Sequence, residues 1–321
     1  GKRRELLTDF SRDRTSQLVP LFRDTLDHSI RKWESGSPRD AVIDVSEEMF
    51  QIALNNVTRY AMGQDFSTQF LEAIEVLLRD ITILQNANFG FPLTRSPVAL
   101  QEYRAAMDVV EREFTTCFEG GTDTSCPHLL AKNLCQRGRN VDEDAFRDWR
   151  NNIISLIIAG HETTAVTICW ALYLLTTNRE FSTRFYTEID EVIGKRPVEE
   201  EDLPRLKYVR RIVDETLRLY PPLWIVTRKA LSDTIIGGHT IPAGAGILVC
   251  PFLMHRHPEF WCDAENFNPG RFAEDAPDIE PYAYLPFFAG RHLCLGKYRS
   301  EEHTLNSSHA NISYAVFCLK K

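Results

Sequence analysis

Pro286-Phe-Phe-Ala-Gly-Arg-His-Leu-Cys-Leu-Gly296 is the stretch on which the reading of this 321-residue chain turns. One cysteine, Cys294, stands between two glycines, downstream of two phenylalanines and close to an arginine and a histidine. Gly290 and Gly296 carry no Cβ, so the backbone there can turn tightly and come close to a bulky flat group. Phe287 and Phe288 offer an apolar wall, and Arg291 a fixed positive charge with fork geometry for a carboxylate. Thiolates form near neutral pH only with help from amides, a cation or a metal.

An isolated cysteine in a glycine-rich turn is more often an inert buried thiol, but the spacing here argues for more. A thiolate on a glycine-framed loop is what an iron porphyrin needs for an axial sulfur ligand. Phe287, Gly290, Arg291, Cys294 and Gly296 fill every fixed position of Phe-x-x-Gly-Arg-x-x-Cys-x-Gly. This resembles the haem-binding signature of the cytochrome P450 family. The resemblance implies a mainly α fold with small β-sheets and a haem b (iron protoporphyrin IX) cofactor, with Cys294 as the axial ligand of its iron.

Two upstream stretches fit the same family in the same order. Ala159-Gly160-His161-Glu162-Thr163-Thr164 interrupts an apolar run from Ile153 to Leu175. A glycine inside a helix costs about 1 kcal/mol relative to alanine and usually has a packing or functional reason. A threonine can bend a helix by bonding back to a carbonyl one turn earlier. The bland alternative is a helix crossing built from small residues. By resemblance this is the oxygen-binding stretch, with Thr163 the alcohol that steadies bound oxygen and Glu162 the acidic neighbour that relays protons. A polar cluster at the middle of the run also favours a buried helix over a membrane span.

The third stretch, Glu215-Thr-Leu-Arg218, matches the family's Glu-x-x-Arg. Periodicity points the other way, because Val209, Ile212, Val213, Leu217 and Tyr220 make the apolar stripe and leave the pair facing outward. Read from the helix alone, the two are a solvated ion pair of the few-tenths kind. The resemblance instead implies a structural triad beneath the haem, completed by Arg271 in Phe267-Asn-Pro-Gly-Arg-Phe272. Gly270 departs there from the glutamate that is usual in the family. Arg228 and Arg291 match arginines that hold the haem propionates. Arg4 resembles another whose tryptophan partner would precede Gly1, and His255-Arg256 falls where a His-Arg pair nears the same edge. For each arginine the plain alternative is a surface cation.

Composition sets wider bounds. Hydrophobic residues at 43% and charged residues at 26% are ordinary globular values. A net charge of -8 argues against general nucleic-acid binding. Eight scattered cysteines without a Cys-x-x-Cys pair disfavour a zinc site or a disulfide framework and fit a reducing compartment. An intracellular place is expected, cytoplasmic or membrane-anchored facing the cytoplasm. Helical spacing is read over Leu18 to Trp33, from Asp44 to about Gly63, over Phe66–Arg79 and Val98–Phe118, over 144–177, and over Phe181–Val192. A loop is expected over 119–140. A hairpin is expected from Thr234 and a strand from Gly246.

The resemblance covers residues 1–298, as a cytochrome P450 domain lacking the family's N-terminal part and the helix after the haem cysteine. Residues 299–321 are expected to be non-native. Arg299-Ser-Glu-Glu-His-Thr and Ile312-Ser-Tyr-Ala-Val-Phe-Cys-Leu can be encoded by the two ends of a common sequencing adapter, given one inserted base, and Lys320-Lys321 by an A-run. The parent is expected to be a haem-thiolate monooxygenase that inserts one atom of O2 into a hydrophobic small molecule. Its electrons would come from an NAD(P)H-dependent reductase or a ferredoxin. Leu223-Trp-Ile-Val226 marks one apolar pocket wall. A haem-thiolate isomerase or dehydratase acting on a hydroperoxide is the alternative, disfavoured by the intact Glu162-Thr163 pair; a non-catalytic haem-binding protein is another.

Overall fold

A computed structural model describes residues 18–36, 42–62, 67–87, 97–119 and 143–297. Arg4 and the 299–321 tail lie outside the described residues, as does nearly all of the 119–140 loop. Eight α-helices are described: α1 Val19–Gly36, α2 Val45–Met62, α3 Thr68–Ala87, α4 Pro97–Glu119, α5 Glu143–Thr177, α6 Arg179–Val192, α7 Lys207–Leu219 and the short α8 Pro251–Met254. Four strands follow α7: β1 Val226–Lys229, β2 Thr234–Ile236, β3 His239–Ile241 and β4 Gly246–Val249. The expected mainly helical fold with small sheets is therefore present.

The chain divides into two compact units, one from Phe50–Glu162 and the other from the sequence on either side. The core of the first is set by helical spacing. Leu54, Val57 and Ala61 of α2, Phe70, Ala73, Ile74 and Leu77 of α3, Ala106, Val110 and Phe114 of α4, and Ile153 and Ile157 of α5 recur at three- and four-residue steps and bury together. Phe70 meets Phe114 edge to face at 5.7 Å, and each such ring contributes about 1.5–3 kcal/mol by leaving water. Ser67 anchors the start of α3, its Oγ accepting from Phe70 N at 3.2 Å and bonding to Glu113 of α4.

In the second unit, Leu18, Phe22, Leu26 and Ile30 are buried along one stripe of α1, as their spacing requires. Asp44 begins α2: its Oδ1 accepts from the backbone N–H groups of Ser46 at 2.9 Å and Glu47 at 3.1 Å. These are two of the donors a helix start leaves without partners. α7 is capped from a distance. Glu188 of α6 accepts from Tyr208 N at 2.8 Å and Val209 N at 2.9 Å, one bond to each carboxylate oxygen. That places a negative charge at the positive end of the helix dipole. Asp202 is buried and held by Arg196, which brackets it with both terminal nitrogens.

β1 and β4 pair antiparallel, Val226 opposite Val249 and Lys229 opposite Gly246. β2 and β3 form the expected hairpin, Thr234 opposite Ile241 and Ile236 opposite His239. Its two-residue turn is Gly237-Gly238 at φ of +55° and +82°, the positive values that a type I′ turn demands.

The segment Arg150–Thr177 of α5 is long and apolar enough to cross a membrane. Within it Ile153, Ile157, Ala165, Ile168, Ala171, Leu172 and Leu175 are buried against protein. α5 is helical at every residue through Gly160. A threonine back-bond does occur on α5, but its donor is Thr167, one turn past the Ala159–Thr164 stretch for which it was expected: Thr167 Oγ1 donates to the Thr163 carbonyl at 2.8 Å.

Candidate functional site

The cysteine loop is shaped by backbone before side chains. Phe288 and Gly290 both take positive φ, +57° and +64°, which costs a residue with a Cβ more than it costs glycine. Three short bonds then close the loop on itself. Phe288 N donates to Leu285 O at 3.3 Å, Leu293 N to Gly290 O at 3.2 Å, and Cys294 N to Phe287 O at 2.9 Å. Gly290–His292 is a single 3₁₀ turn. Cys294 comes out exposed and outside any disulfide. A Cβ on Gly296 would stand 3.8 Å from its Sγ, so any larger side chain there would lie against the sulfur. The loop thus presents an exposed cysteine sulfur next to Gly296, with Phe287 and Phe288 half-buried in the same loop. Arg291 and Arg228 are exposed, and Arg228 donates to its neighbouring Thr227 carbonyl at 2.9 Å.

A charged network in the same unit underlies this loop. Glu215 and Arg218 are each 0% exposed, against the outward placement that the stripe of α7 predicted. Arg218 Nε and Nη2 grip the Glu215 carboxylate at 2.7 and 2.8 Å. Its remaining donors reach the backbone carbonyls of His255 at 2.8 Å, Ala264 at 2.7 Å and Asn266 at 3.3 Å. All five guanidinium hydrogens are therefore used, which only arginine's planar fork allows. Glu215 Oε1 also accepts from Asn268 N at 2.9 Å and from Arg271 Nε at 3.3 Å. Arg271 in turn donates to the carbonyls of Cys262 and Asp263. The face of Trp261 lies 5.1 Å from the Arg218 guanidinium carbon. So the structure brings Glu215, Arg218 and Arg271 together around one carboxylate.

His255 and Arg256, read from sequence as a pair near the haem edge, part company. His255 is buried and bonded through both ring nitrogens, to Arg218 O at 3.1 Å and Leu285 N at 2.8 Å. Burial drives its pKa down to about 4, against the pull of the Arg218 carbonyl. Arg256 pairs with Glu265 at 3.1 Å and lies 3.9 Å over the Phe252 ring. Tyr284 belongs to the same cluster and was missed in the sequence. Its hydroxyl donates toward Asp214 at 3.0–3.1 Å, and nothing in a lone tyrosine 70 residues downstream could have signalled that. Burial pushes the Asp214 carboxyl up, with Arg210, Tyr284 and Lys297 acting against the rise.

On α5, Glu162 is exposed and Thr163 half-buried. His161 is buried, its ring edge-on to Phe50 at 5.2 Å, and desolvation lowers its pKa to about 4. Val166, Trp170, Tyr220, Pro221, Pro222, Trp224 and Phe252 line an open apolar hollow of about 470 Å³. Trp170 and Tyr220 stack there at 3.9 Å. Trp224 is the part of the expected apolar wall that lines it.

Known proteins resemble this chain over most of its length. A family model described as "Cytochrome P450" matches residues 2–300. Pentalenene oxygenase of Streptomyces avermitilis is 30% identical over 92% of this chain and 66% of its own length. Cyclooctat-9-en-7-ol 5-monooxygenase of Streptomyces melanosporofaciens is 40% identical over 52% of the chain and 36% of its own. Cytochrome P450 4V2 of Mus musculus is 40% identical over 53% and 32%. The chain spans between about a third and two thirds of the length of these relatives. A cytochrome P450DA heme-domain mutant superposes with a TM-score of 0.82 at 22% identity, over 97% of this chain and 69% of that one, which speaks to the fold. Motif, fold and relatives converge: the chain belongs to the cytochrome P450 family.

Proposed function

We propose that this chain is the haem-holding part of a haem-thiolate monooxygenase acting on a hydrophobic organic substrate. The observation that carries the reading is the exposed sulfur of Cys294 on a loop closed by its own backbone, with Gly296 leaving the space around it clear. These residues fit haem b. Cys294 would hold the iron through its thiolate, Gly290 and Gly296 would let the ring approach, and Arg291 and Arg228 would face the propionates. When bound, the cofactor supplies oxygen activation, with sulfur donation favouring O–O cleavage.

The rest falls to the chain. Thr163 and Glu162, neighbours on α5, would hold and pass protons toward the oxygen side through hydroxyl and carboxylate. Glu215, Arg218 and Arg271 touch no reacting atom and would keep the framework beneath the loop rigid. Electrons would arrive from an NAD(P)H-dependent reductase or a ferredoxin. Apolar side chains such as Trp224 would favour a substrate of like character. The relatives' printed names, an oxygenase and a monooxygenase, support the same reaction class.

The test is spectroscopic. Protein loaded with haem, reduced and exposed to carbon monoxide should show the red-shifted Soret band of thiolate ligation, and Cys294→Ala should lose it. A wild-type spectrum without that band would end the proposal.

A further inference from the structure

We infer that His255 is a positioning residue for the cysteine loop, bridging the end of α7 to the loop's entry through one donor and one acceptor on the same ring. The tautomer follows from its partners. Leu285 N can only donate, so Nε2 accepts at 2.8 Å; the Arg218 carbonyl can only accept, so Nδ1 carries the hydrogen at 3.1 Å. Arg218 lies in the last turn of α7, where carbonyls have no partner within the helix. Leu285 supplies the last N–H before Pro286, which has none. The imidazole thus satisfies two backbone groups, 37 and 30 residues away from it, in a fully buried setting.

A second tether lies beside it. Tyr284 donates its hydroxyl to Asp214 O at 3.0 Å, and Asp214 and Arg218 are one helical turn apart. Consecutive residues, Tyr284 and Leu285, are therefore tied to successive turns of α7. The tie then runs on through the loop's own bonds: Leu285 O takes Phe288 N, and Phe287 O takes Cys294 N. His255 is accordingly the link between the buried Glu215–Arg218–Arg271 network and the backbone that carries the sulfur. The consequence for the iron rests on the haem-thiolate reading; the tether itself does not.

Hydrogen–deuterium exchange on the haem-free chain tests the tether. His255→Ala should speed exchange at Leu285, Phe288 and Cys294 by about tenfold, the size of one net hydrogen bond, with α7 amides unchanged. His255→Gln should restore protection, because its amide also carries one donor and one acceptor separated by a single carbon. Unchanged exchange in the alanine variant overturns the inference. So does equal loss across α7 in both variants, which would make His255 only a core residue. In haem-loaded protein, the alanine variant should shift part of the carbon monoxide spectrum away from the thiolate band, and the glutamine variant should not. Absence of that band in wild type would defeat the haem reading while leaving the exchange result to decide the tether.

Discussion

At the residue scale, Arg218 shows why a buried charge survives. Removing an ion pair from water costs several kcal/mol per ion, and the Coulomb gain repays that only with the remaining hydrogen bonds in place. Arg218 meets the condition with five of five donors placed, two on Glu215 and three on carbonyls. Lysine offers three donors and no plane, so Arg218→Lys should lose about 3–5 kcal/mol, as breaking a buried pair does. Urea unfolding midpoints would measure it, and a loss below about 1 kcal/mol would mean the pair behaves like a surface one. The α7 sequence could not reveal this burial. Its apolar stripe correctly marks one face, but the groups that cover the other come from residues 255–271, outside any local window. Thr163 sits at the opposite extreme, half-buried, and the role proposed for it rests on the family resemblance. With haem, electron donor and substrate supplied, Thr163→Ala should lower product formed per electron consumed, and an unchanged ratio would remove Thr163 from proton delivery.

Elements show the same divide between local and distant causes. The Gly237-Gly238 turn was legible because the positive φ it needs is written into two adjacent glycines. Helix positions were legible from three- and four-residue spacing, although α3 continues to Ala87, past the expected end at Arg79. The pairing of β1 with β4 was not, because residues 226–229 carry mixed polarity and their partner strand lies some twenty residues on. The start of α7 was hidden for a related reason. Leu206 precedes it without a side-chain cap, and Glu188 reaches across from α6 to serve instead. Glu188→Ala should therefore weaken the packing of α6 on α7 and cost about 0.5–2 kcal/mol, the range of a lost N-cap. Glu188→Gln keeps one acceptor and should lose less. Thermal midpoints of the two variants would rank them; equal losses would show that side-chain bulk matters there and the cap does not.

For the whole molecule, the cysteine loop was the most legible part, since five fixed positions state its chemistry within eleven residues. What surrounds it was not, and the buried histidines make the point through pH. His161 and His255 have folded pKa values lowered from 6.5 to about 4, mainly by desolvation. Both are neutral when folded at pH 7. Below pH 6.5 the unfolded chain takes up those protons first, so their stabilisation is full above that value and is lost as pH falls toward 4. Two and a half units each, at about 1.4 kcal/mol per unit, is on the order of 3 kcal/mol per histidine. Asp214 works against this trend. Its raised pKa means the folded state takes a proton early, which adds stability as the solution acidifies. Two protons against one leave a net loss, so unfolding free energy should drop between pH 6.5 and 4. His161→Phe keeps an aromatic ring against Phe50 while removing one titrating group. Its stability should change less steeply across that window than wild type, by about one proton's worth of slope. Denaturant unfolding at pH 7, 6 and 5 measures both slopes, and matching slopes would mean that His161 takes up no proton on unfolding.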